Sequence, residues 1–168
     1  MASGKSTVAQ AAAERLSRSV HVRGDVFRRM IVSGRVEMTP DAPAEALRQL
    51  ELRYRLAAEV SRAYFEAGFT VVYQDNILGA YLNDVVRQLR DLPLYVVVLC
   101  PAPEMVARRE AERGKTGYGE WTPAQLDAGF RATTPRLGLW LDTSEWTVDE
   151  TVSAMLLKID QARISPAL

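Results

Sequence analysis

The sequence predicts an α/β fold in which helices cover both faces of a parallel sheet. Short runs rich in β-branched and aromatic residues alternate with longer stretches of helical periodicity. Two of the runs, 71–73 and 95–99, are continuously apolar, which is typical of strands covered on both faces. Such alternation favours parallel βαβ units. A chain of 168 residues has the length of one domain, which we expect to span 1–168.

The local patterns place the elements in order. The strands are predicted at Ser19–Arg23, Phe69–Gln74, Leu94–Cys100 and Gly138–Asp142. The helices are predicted at Lys5–Ser17, Ala44–Ala67, Leu82–Asp91, Pro103–Arg113, Pro123–Ala132 and Val148–Ala162. Gly68 is expected to end the long helix, and Thr147 with Glu150 three residues later forms a capping-box pattern for the last one.

Composition limits the classes of partner. The formal net charge is zero, so the sequence has no general attraction for nucleic acid or an anionic membrane. No stretch approaches the roughly 20 apolar residues of a membrane span. Cys100 is the single cysteine, which excludes an intrachain disulfide and favours a cytoplasmic location. The oligomeric state stays open.

The strongest motif lies at the amino end. The string Ala2-Ser3-Gly4-Lys5-Ser6-Thr7 matches the second half of G-x-x-x-x-G-K-[ST] and opens an amphipathic helix. In this pattern the glycine lets backbone N–H groups face phosphates, the lysine reaches the β- and γ-phosphates, and the serine hydroxyl binds Mg²⁺. Thr7 is expected to stabilise the first helical turn or to support the site indirectly. The alternative is a flexible amino terminus followed by an ordinary helix.

The motif refines the fold class to a three-layer P-loop NTPase fold with a central parallel sheet. In that fold a strand precedes the phosphate loop directly. Both this first strand and the first glycine of the motif fall before Met1, so they are missing from this sequence. Without this central strand, the two strands on either side of its position would have unpaired backbone groups.

Asp25 is the candidate catalytic base. It follows the strand Ser19–Arg23, at the carboxyl edge where open α/β sheets bind ligands. A carboxylate there can accept the proton of an acceptor hydroxyl. The alternative is that Asp25 caps a helix beginning at Val26. Arg28 and Arg29 face either the acceptor or solvent.

Asp75 is the candidate acidic ligand for magnesium. It belongs to Gln74-Asp75-Asn76, which ends the strand beginning at Phe69. An acidic residue here can hold Mg²⁺ through water or orient the acceptor. The alternative is a turn, since Asp and Asn favour turns.

Residues 108–122 are predicted to form a lid. Arg109 and Arg113 lie four residues apart on one helix face, and glycines follow them. A lid bearing arginines can close over a triphosphate, exclude water and neutralise transition-state charge. The alternative is a solvated helix end. Ser144, after the last strand, is a further candidate for the adenine side of the site.

Together the G-K-S-T helix, Asp25 and the stretch Cys100-Pro101 to Arg108-Arg109-Glu110 and Arg113-Gly114 resemble the chloramphenicol phosphotransferase-like family. That group is related to shikimate and gluconate kinases and to zeta toxins. The resemblance implies ATP with Mg²⁺ as donor and a small hydroxyl compound as acceptor. It also implies that Lys5 and Ser6 match the nucleotide site, Asp25 the base, and Arg109 with Arg113 the lid.

These patterns lead to one functional hypothesis. We expect an ATP-dependent phosphotransferase that phosphorylates a hydroxyl of a metabolite or an antibiotic, the second acceptor implying a role in antibiotic resistance. Its catalytic residues are Asp25, Lys5, Arg109 and Arg113, and its metal ligands are Ser6 and Asp75. The nucleotide is expected to contact Ser3, Gly4, Lys5, Ser6, Thr7, Arg109, Arg113 and Ser144. The alternatives are a nucleoside or nucleotide kinase, with Arg28 and Arg29 on the acceptor, and a nucleotide-binding protein with little catalysis.

Overall fold

The structure is a computed structural model that describes residues 3–112 and 123–164. The helices in these ranges are α1 (Lys5–Glu14), α2 (Gly24–Arg29), α3 (Ala44–Glu66), α4 (Tyr81–Leu89), α5 (Pro103–Glu112), α6 (Pro123–Thr133) and α7 (Val148–Leu157). The strands are β1 (Ser19–Arg23), β2 (Thr70–Gln74), β3 (Leu94–Tyr95), β4 (Val97–Leu99), β5 (Leu139–Leu141) and β6 (Arg163–Ile164). None of the described helices is long and apolar enough to cross a membrane.

The strands form three pairs. β1 runs parallel to β2, and β4 runs parallel to β5, as the alternation of strands and helices predicts. β3 pairs with β6 in the antiparallel direction, which the sequence patterns do not indicate. No strand of the described chain joins the β1–β2 pair to the β4–β5 pair.

Two predicted elements are interrupted. The expected strand 94–100 breaks at Val96, because its N–H donates to Ala162 O at 2.8 Å while its carbonyl accepts from Leu139 N at 2.9 Å. Val96 therefore changes partner between the two sides of the break. The expected helix from Val148 to Ala162 was too long, since α7 ends at Leu157 and a 3-10 turn covers Ile159–Ala162.

The helix ends follow the local signals. Gly68 takes a left-handed conformation with φ 82°, and its N–H donates to Phe65 O at 2.8 Å. This closes α3 and leads the chain directly into β2. At α7 the Thr147 side chain and the Glu150 side chain each accept from the other residue's backbone N–H, which confirms the predicted capping box.

Two apolar clusters hold the helices that carry the candidate site. Val8 and Ala12 of α1 pack against Val152 of α7, so the first helix is anchored from behind. Tyr54 and Ala58 of α3 pack with Val85 and Leu89 of α4. These contacts fix the amino end of α1 and the middle of α3 at the same edge of the molecule as the ends of β1 and β2.

Candidate functional site: the amino end of α1 and the carboxyl edge of the sheet

The amino end of α1 is shaped to receive an anion. Gly4 precedes the helix in a left-handed conformation, φ 81°, which favours glycine, and its carbonyl accepts from Val8 N at 3.0 Å. The first turn carries no acidic side chain, so nothing on α1 offsets the positive end of the helix dipole. Lys5 lies at this end and its Nζ donates to Ser3 Oγ at 3.2 Å. Thr7, two positions after Lys5, is exposed.

Ser6 connects α1 to the end of β2. Its hydroxyl donates to Gln74 Oε1 at 3.0 Å, across 68 positions of sequence. The expected magnesium ligand therefore lies at the carboxyl edge of the sheet, as the sequence predicts. Gln74 belongs to the tripeptide Gln74-Asp75-Asn76, in which the sequence pattern indicates the acidic Asp75 and does not indicate the amide.

Asp25 lies in the first turn of α2, directly after β1. The helix begins at Gly24, so Asp25 does not cap a helix beginning at Val26, and that alternative is wrong. Its Oδ2 pairs with Arg29 one turn later, and its Oδ1 lies 3.6 Å from Arg23 Nε. Oδ1 is shielded from solvent, and within the described ranges no group donates a hydrogen bond to it. A buried oxygen that accepts no hydrogen bond from the protein can accept one from a bound molecule.

Asp75 forms a buried ion pair with Arg53 of α3. The Asp75 side chain is 0% exposed and the Arg53 side chain 13% exposed. Arg53 Nε donates to Asp75 Oδ2 at 3.0 Å, and a terminal guanidinium nitrogen of Arg53 contacts Asp75 Oδ1. Tyr73 OH also donates to Asp75 Oδ2, at 3.2 Å. Asn76 N donates to Oδ1 at 2.6 Å. Both oxygens of Asp75 thus have protein partners, and its expected role as a metal ligand stays a prediction that these contacts do not favour.

Arg53 of α3 lies close enough to the candidate base for the two charges to interact. Burial lowers the pKa of Arg53, and the Asp25 carboxylate partly opposes that effect. Tyr54 OH donates to Asn76 O at 2.8 Å, and burial raises the pKa of Tyr54 to about 12. The sequence analysis selected neither residue. Helical periodicity shows which side of α3 is apolar, but it does not show which residues of other elements that side contacts.

His21 of β1 lies next to the same groups. Its Nδ1 lies 2.9 Å from Gln10 Oε1, so the proton belongs on Nδ1. Its Nε2 is buried and has no hydrogen-bond partner in the described part of the chain. Burial lowers the pKa of His21, with the Arg23 guanidinium acting in the same direction and Asp25 with Gln74 opposing it.

Arg28 and Arg29 already have partners. Arg28 pairs with Glu37 and Arg29 with Asp25. The nucleotide-kinase alternative requires both arginines to contact the phosphate of an acceptor. In this geometry each guanidinium is instead paired with a carboxylate of the protein.

Arg109 and Ser144 meet at the end of β5. Arg109 of α5 donates to the carbonyls of Thr143 at 3.0 Å and Ser144 at 3.2 Å. Ser144 Oγ donates to Asp142 Oδ1 at 2.5 Å and accepts from Ala102 N at 2.8 Å. These bonds hold α5 and the loops after β4 and β5 together. The expected lid begins here, but Arg113 and the rest of 113–122 lie outside the described residues.

Arg131 of α6 is a further cation at this edge that the sequence analysis did not select. It donates to Cys100 O at 3.2 Å and its Nε to Asp127 Oδ2 at 2.8 Å. The hydrogen bond to Asp127 raises the pKa of Arg131. No sequence pattern marks Arg131, since a single arginine on an exposed helix face is ordinary.

Comparison with known families decides the class of the protein. A family profile described as an AAA domain matches residues 1–147. The chain belongs to the AAA-domain family. A search of curated proteins found no match.

Solved structures agree with this AAA-domain assignment. The tunicamycin resistance protein of Deinococcus radiodurans superposes with a TM-score of 0.66 at 16% identity, over 97% of this chain and 92% of that one. A gluconokinase from Sinorhizobium meliloti gives a TM-score of 0.61 at 19% identity, over 95% and 87%. A sugar kinase from a Janibacter species gives 0.60 at 23% identity, over 96% and 90%. The predicted P-loop NTPase fold and the resemblance to small P-loop kinases are therefore confirmed.

The AAA-domain site offers neutral oxygens as candidate ligands for a metal ion. Among the described residues, no group of three or more acidic, histidine or cysteine side chains is arranged so that it could hold a metal ion. Ser6 and Gln74 instead place two neutral oxygens together at the helix end. Mg²⁺ usually keeps several waters and shares phosphate oxygens with few protein ligands, so this pair fits a magnesium–triphosphate complex.

Proposed function

We propose that this chain is a kinase that transfers the γ-phosphate of ATP to a hydroxyl group of a small molecule, a metabolite or an antibiotic. The observation that carries the proposal is the state of Asp25. Its Oδ1 is buried without a donor at the same edge of the sheet as the amino end of α1. A base and a phosphate site at one edge are what phosphoryl transfer to an alcohol requires.

The donor side rests on α1. The backbone N–H groups after Gly4 and the Lys5 ammonium bind the β- and γ-phosphates. Ser6 and Gln74 would hold magnesium, which when bound neutralises charge on the phosphate oxygens. Arg109, tied to the loop after β5, is proposed to approach the phosphates together with Arg113 when nucleotide binds. Ser144, in the same loop, is proposed to contact the base.

The acceptor side rests on Asp25. Its Oδ1 receives the hydrogen bond of the acceptor hydroxyl and takes the proton as the oxygen attacks the γ-phosphate. Arg29 holds the other oxygen, Oδ2, and Oδ1, which lies 3.6 Å from Arg23 Nε, accepts no hydrogen bond from the described residues and can accept that of the hydroxyl. General-base assistance of this kind contributes about 10²- to 10⁴-fold to a rate. Arg53 of α3 lies behind the acceptor.

A panel of acceptors tests the proposal. ADP release is measured with gluconate, hexoses, nucleosides, tunicamycin and chloramphenicol, chosen from the resemblance and from the names of the structural neighbours. Mass spectrometry of each acceptor checks that one phosphate has been gained. We expect acceptor-dependent ADP release within one chemical class. Tight ATP binding without phosphorylation of any acceptor would instead support a nucleotide-binding protein with little catalysis.

A further inference from the structure

The guanidinium of Arg53 is bonded to the protein along one edge only. Its Nε donates to Asp75 Oδ2 at 3.0 Å, and one terminal nitrogen contacts Asp75 Oδ1. A guanidinium also carries N–H groups at its end, where the two terminal nitrogens lie side by side. Within residues 3–112 and 123–164 no group accepts a hydrogen bond from this end of Arg53, which we call its free end.

The free end of Arg53 has little access to water. The Arg53 side chain is 13% exposed, whereas the Arg23 and Arg29 side chains on the other side of the candidate base are 45% and 59% exposed. Burial is the main cause of the lowered pKa of Arg53. Because donors of a charged group are costly to leave unpaired away from water, the free end is suited to an acceptor supplied by a bound molecule.

Arg53 lies beside the candidate base. Its Nε donates to the same Asp75 oxygen, Oδ2, that lies directly against Gly24. Gly24 immediately precedes Asp25, and the Asp25 carboxylate is close enough to act on the charge of Arg53. A molecule that presents its hydroxyl to Asp25 Oδ1 therefore lies next to the free end of Arg53.

The region around α2 carries an excess of positive charge. Its ion pairs join five arginines to three carboxylates: Arg23 and Arg29 to Asp25, Arg28 and Arg35 to Glu37, and Arg53 to Asp75. Two positive charges are thus left over in a chain whose formal net charge is zero. A local excess of this sign favours an anionic molecule over a neutral one.

Arg53 is also held in a fixed orientation. The two contacts with the buried Asp75 leave the guanidinium no freedom to turn, whereas the partner of Arg28, Glu37, is 65% exposed. The end of a guanidinium offers parallel N–H groups that match a carboxylate or a phosphate. A donor pair that is already oriented loses little entropy when it binds such a group.

We propose that the acceptor carries a carboxylate or phosphate group in addition to the hydroxyl that Asp25 deprotonates, and that the free end of Arg53 binds this anionic group. The inference rests on the proposed function, because it takes the occupant of this space to be the acceptor. It narrows the acceptor to anionic hydroxyl compounds. Arg53 is then a specificity-determining residue, and Asp75 holds it in place.

Two matched pairs of small molecules test the proposal in NMR titrations of the labelled protein without nucleotide. Gluconate is compared with glucitol, which has a CH₂OH group in place of the carboxylate, and glycerol 3-phosphate is compared with glycerol. We expect the anionic member of at least one pair to bind about tenfold to a hundredfold more tightly than its neutral partner. The pair that shows the preference tells a carboxylate from a phosphate.

Three variants assign the preference to Arg53. It should be lost in the double variant Arg53→Met, Asp75→Leu, which removes the ion pair as a unit. It should also be lost in Arg53→Lys, which keeps a cation beside Asp75 but has no planar end. Arg55→Met, at an exposed arginine of the same helix, is the matched control and should bind as the parent protein does. Urea unfolding checks that each variant is folded.

Equal binding of the anionic and neutral members in both pairs would overturn the proposal. A preference that survives in both Arg53 variants would overturn it too, because the anion would then bind elsewhere, for example at the amino end of α1. So would the absence of binding by either anion up to about 10 mM. None of these titrations uses turnover, so they separate this proposal from the kinase proposal. Phosphorylation of a neutral acceptor, with no preference for the anions, would support the kinase proposal and refute this one.

Discussion

Gly24 lies so close to the carboxylate of Asp75 that no side chain fits between them. A Cβ at position 24 would overlap Oδ2 and Cγ of Asp75 and lie 3.1 Å from its Cβ. Gly24 does not have a positive φ, so the requirement is for space and not for a special backbone conformation. Asp75 cannot move aside because Arg53 and Tyr73 hold it. This contact fixes the start of α2, and therefore Asp25, against the end of β2.

Gly24→Ala is predicted to impair both folding and turnover. Forcing a methyl group into this contact should lower the free energy of unfolding by about 1–3 kcal/mol. It should also displace Asp25 and reduce acceptor phosphorylation. Urea unfolding and ADP release measure the two effects.

Gly129→Ala is the matched control for that substitution. Gly129 lies within α6, and a Cβ there meets no atom within 4 Å. Because alanine favours a helix interior, this change should raise the free energy of unfolding by up to about 1 kcal/mol. Equal losses for the two variants would refute the steric role of Gly24.

Asp75→Asn tests whether Asp75 serves the fold or the metal. Removing one partner of a buried ion pair leaves the Arg53 charge uncompensated, so we expect a loss of about 3–5 kcal/mol in urea unfolding. The double variant Arg53→Met, Asp75→Leu should recover most of that loss, since an apolar pair replaces the ionic one. A metal role predicts the reverse pattern, with unchanged stability and a lost dependence of ATP binding on Mg²⁺.

His21 should titrate below its ordinary pKa of 6.5. It is the single histidine in the sequence, so its proton NMR signals need no assignment. As the pH falls through 6.5, His21 of the unfolded chain binds a proton, whereas His21 of the folded chain binds it only at a lower pH. Stability contributed by the neutral ring is therefore complete above pH 6.5 and falls as the pH drops below it. In His21→Gln this part of the pH dependence should vanish, and an NMR pKa at or above 6.5 would contradict the buried position.

The sequence predicted the parts of the molecule that local rules govern. The strand Ser19–Arg23, the end of α3 and the start of α7 follow from apolar periodicity, Gly68 and Thr147, which act within a few residues. Asp25 was placed at the correct edge because parallel strands end there. This reasoning needs only the order of elements.

Contacts between distant segments were not predictable in the same way. The pairing of Asp75 with Arg53 depends on how α3 crosses β2, and a carboxylate that binds magnesium has the same sequence signature as one that binds arginine. The bond between Ser6 and Gln74 joins two elements whose spacing the sequence does not encode. Val96 breaks a strand because two different neighbours compete for it.

Asp25→Asn is predicted to reduce phosphorylation of the acceptor by about 10²- to 10⁴-fold, because the amide cannot take the proton. ATP affinity should be nearly unchanged, since Asp25 lies on the acceptor side. Asp160→Asn, at an exposed carboxylate in the 3-10 turn, serves as the control and should behave as the parent protein. Retained turnover in Asp25→Asn would remove Asp25 from the role of base.

Calorimetric titration of the protein with ATP, in the presence and absence of magnesium, tests the central claim most directly. We predict binding that strengthens with magnesium. Ser6→Ala should weaken the magnesium-dependent part by about tenfold to a hundredfold, because a hydroxyl that contacts a charged group is lost. Ser17→Ala, an exposed serine beyond α1, should bind as the parent protein does. If the parent protein has no magnesium-dependent affinity for ATP or GTP, the amino end of α1 is not a triphosphate site and the kinase proposal fails.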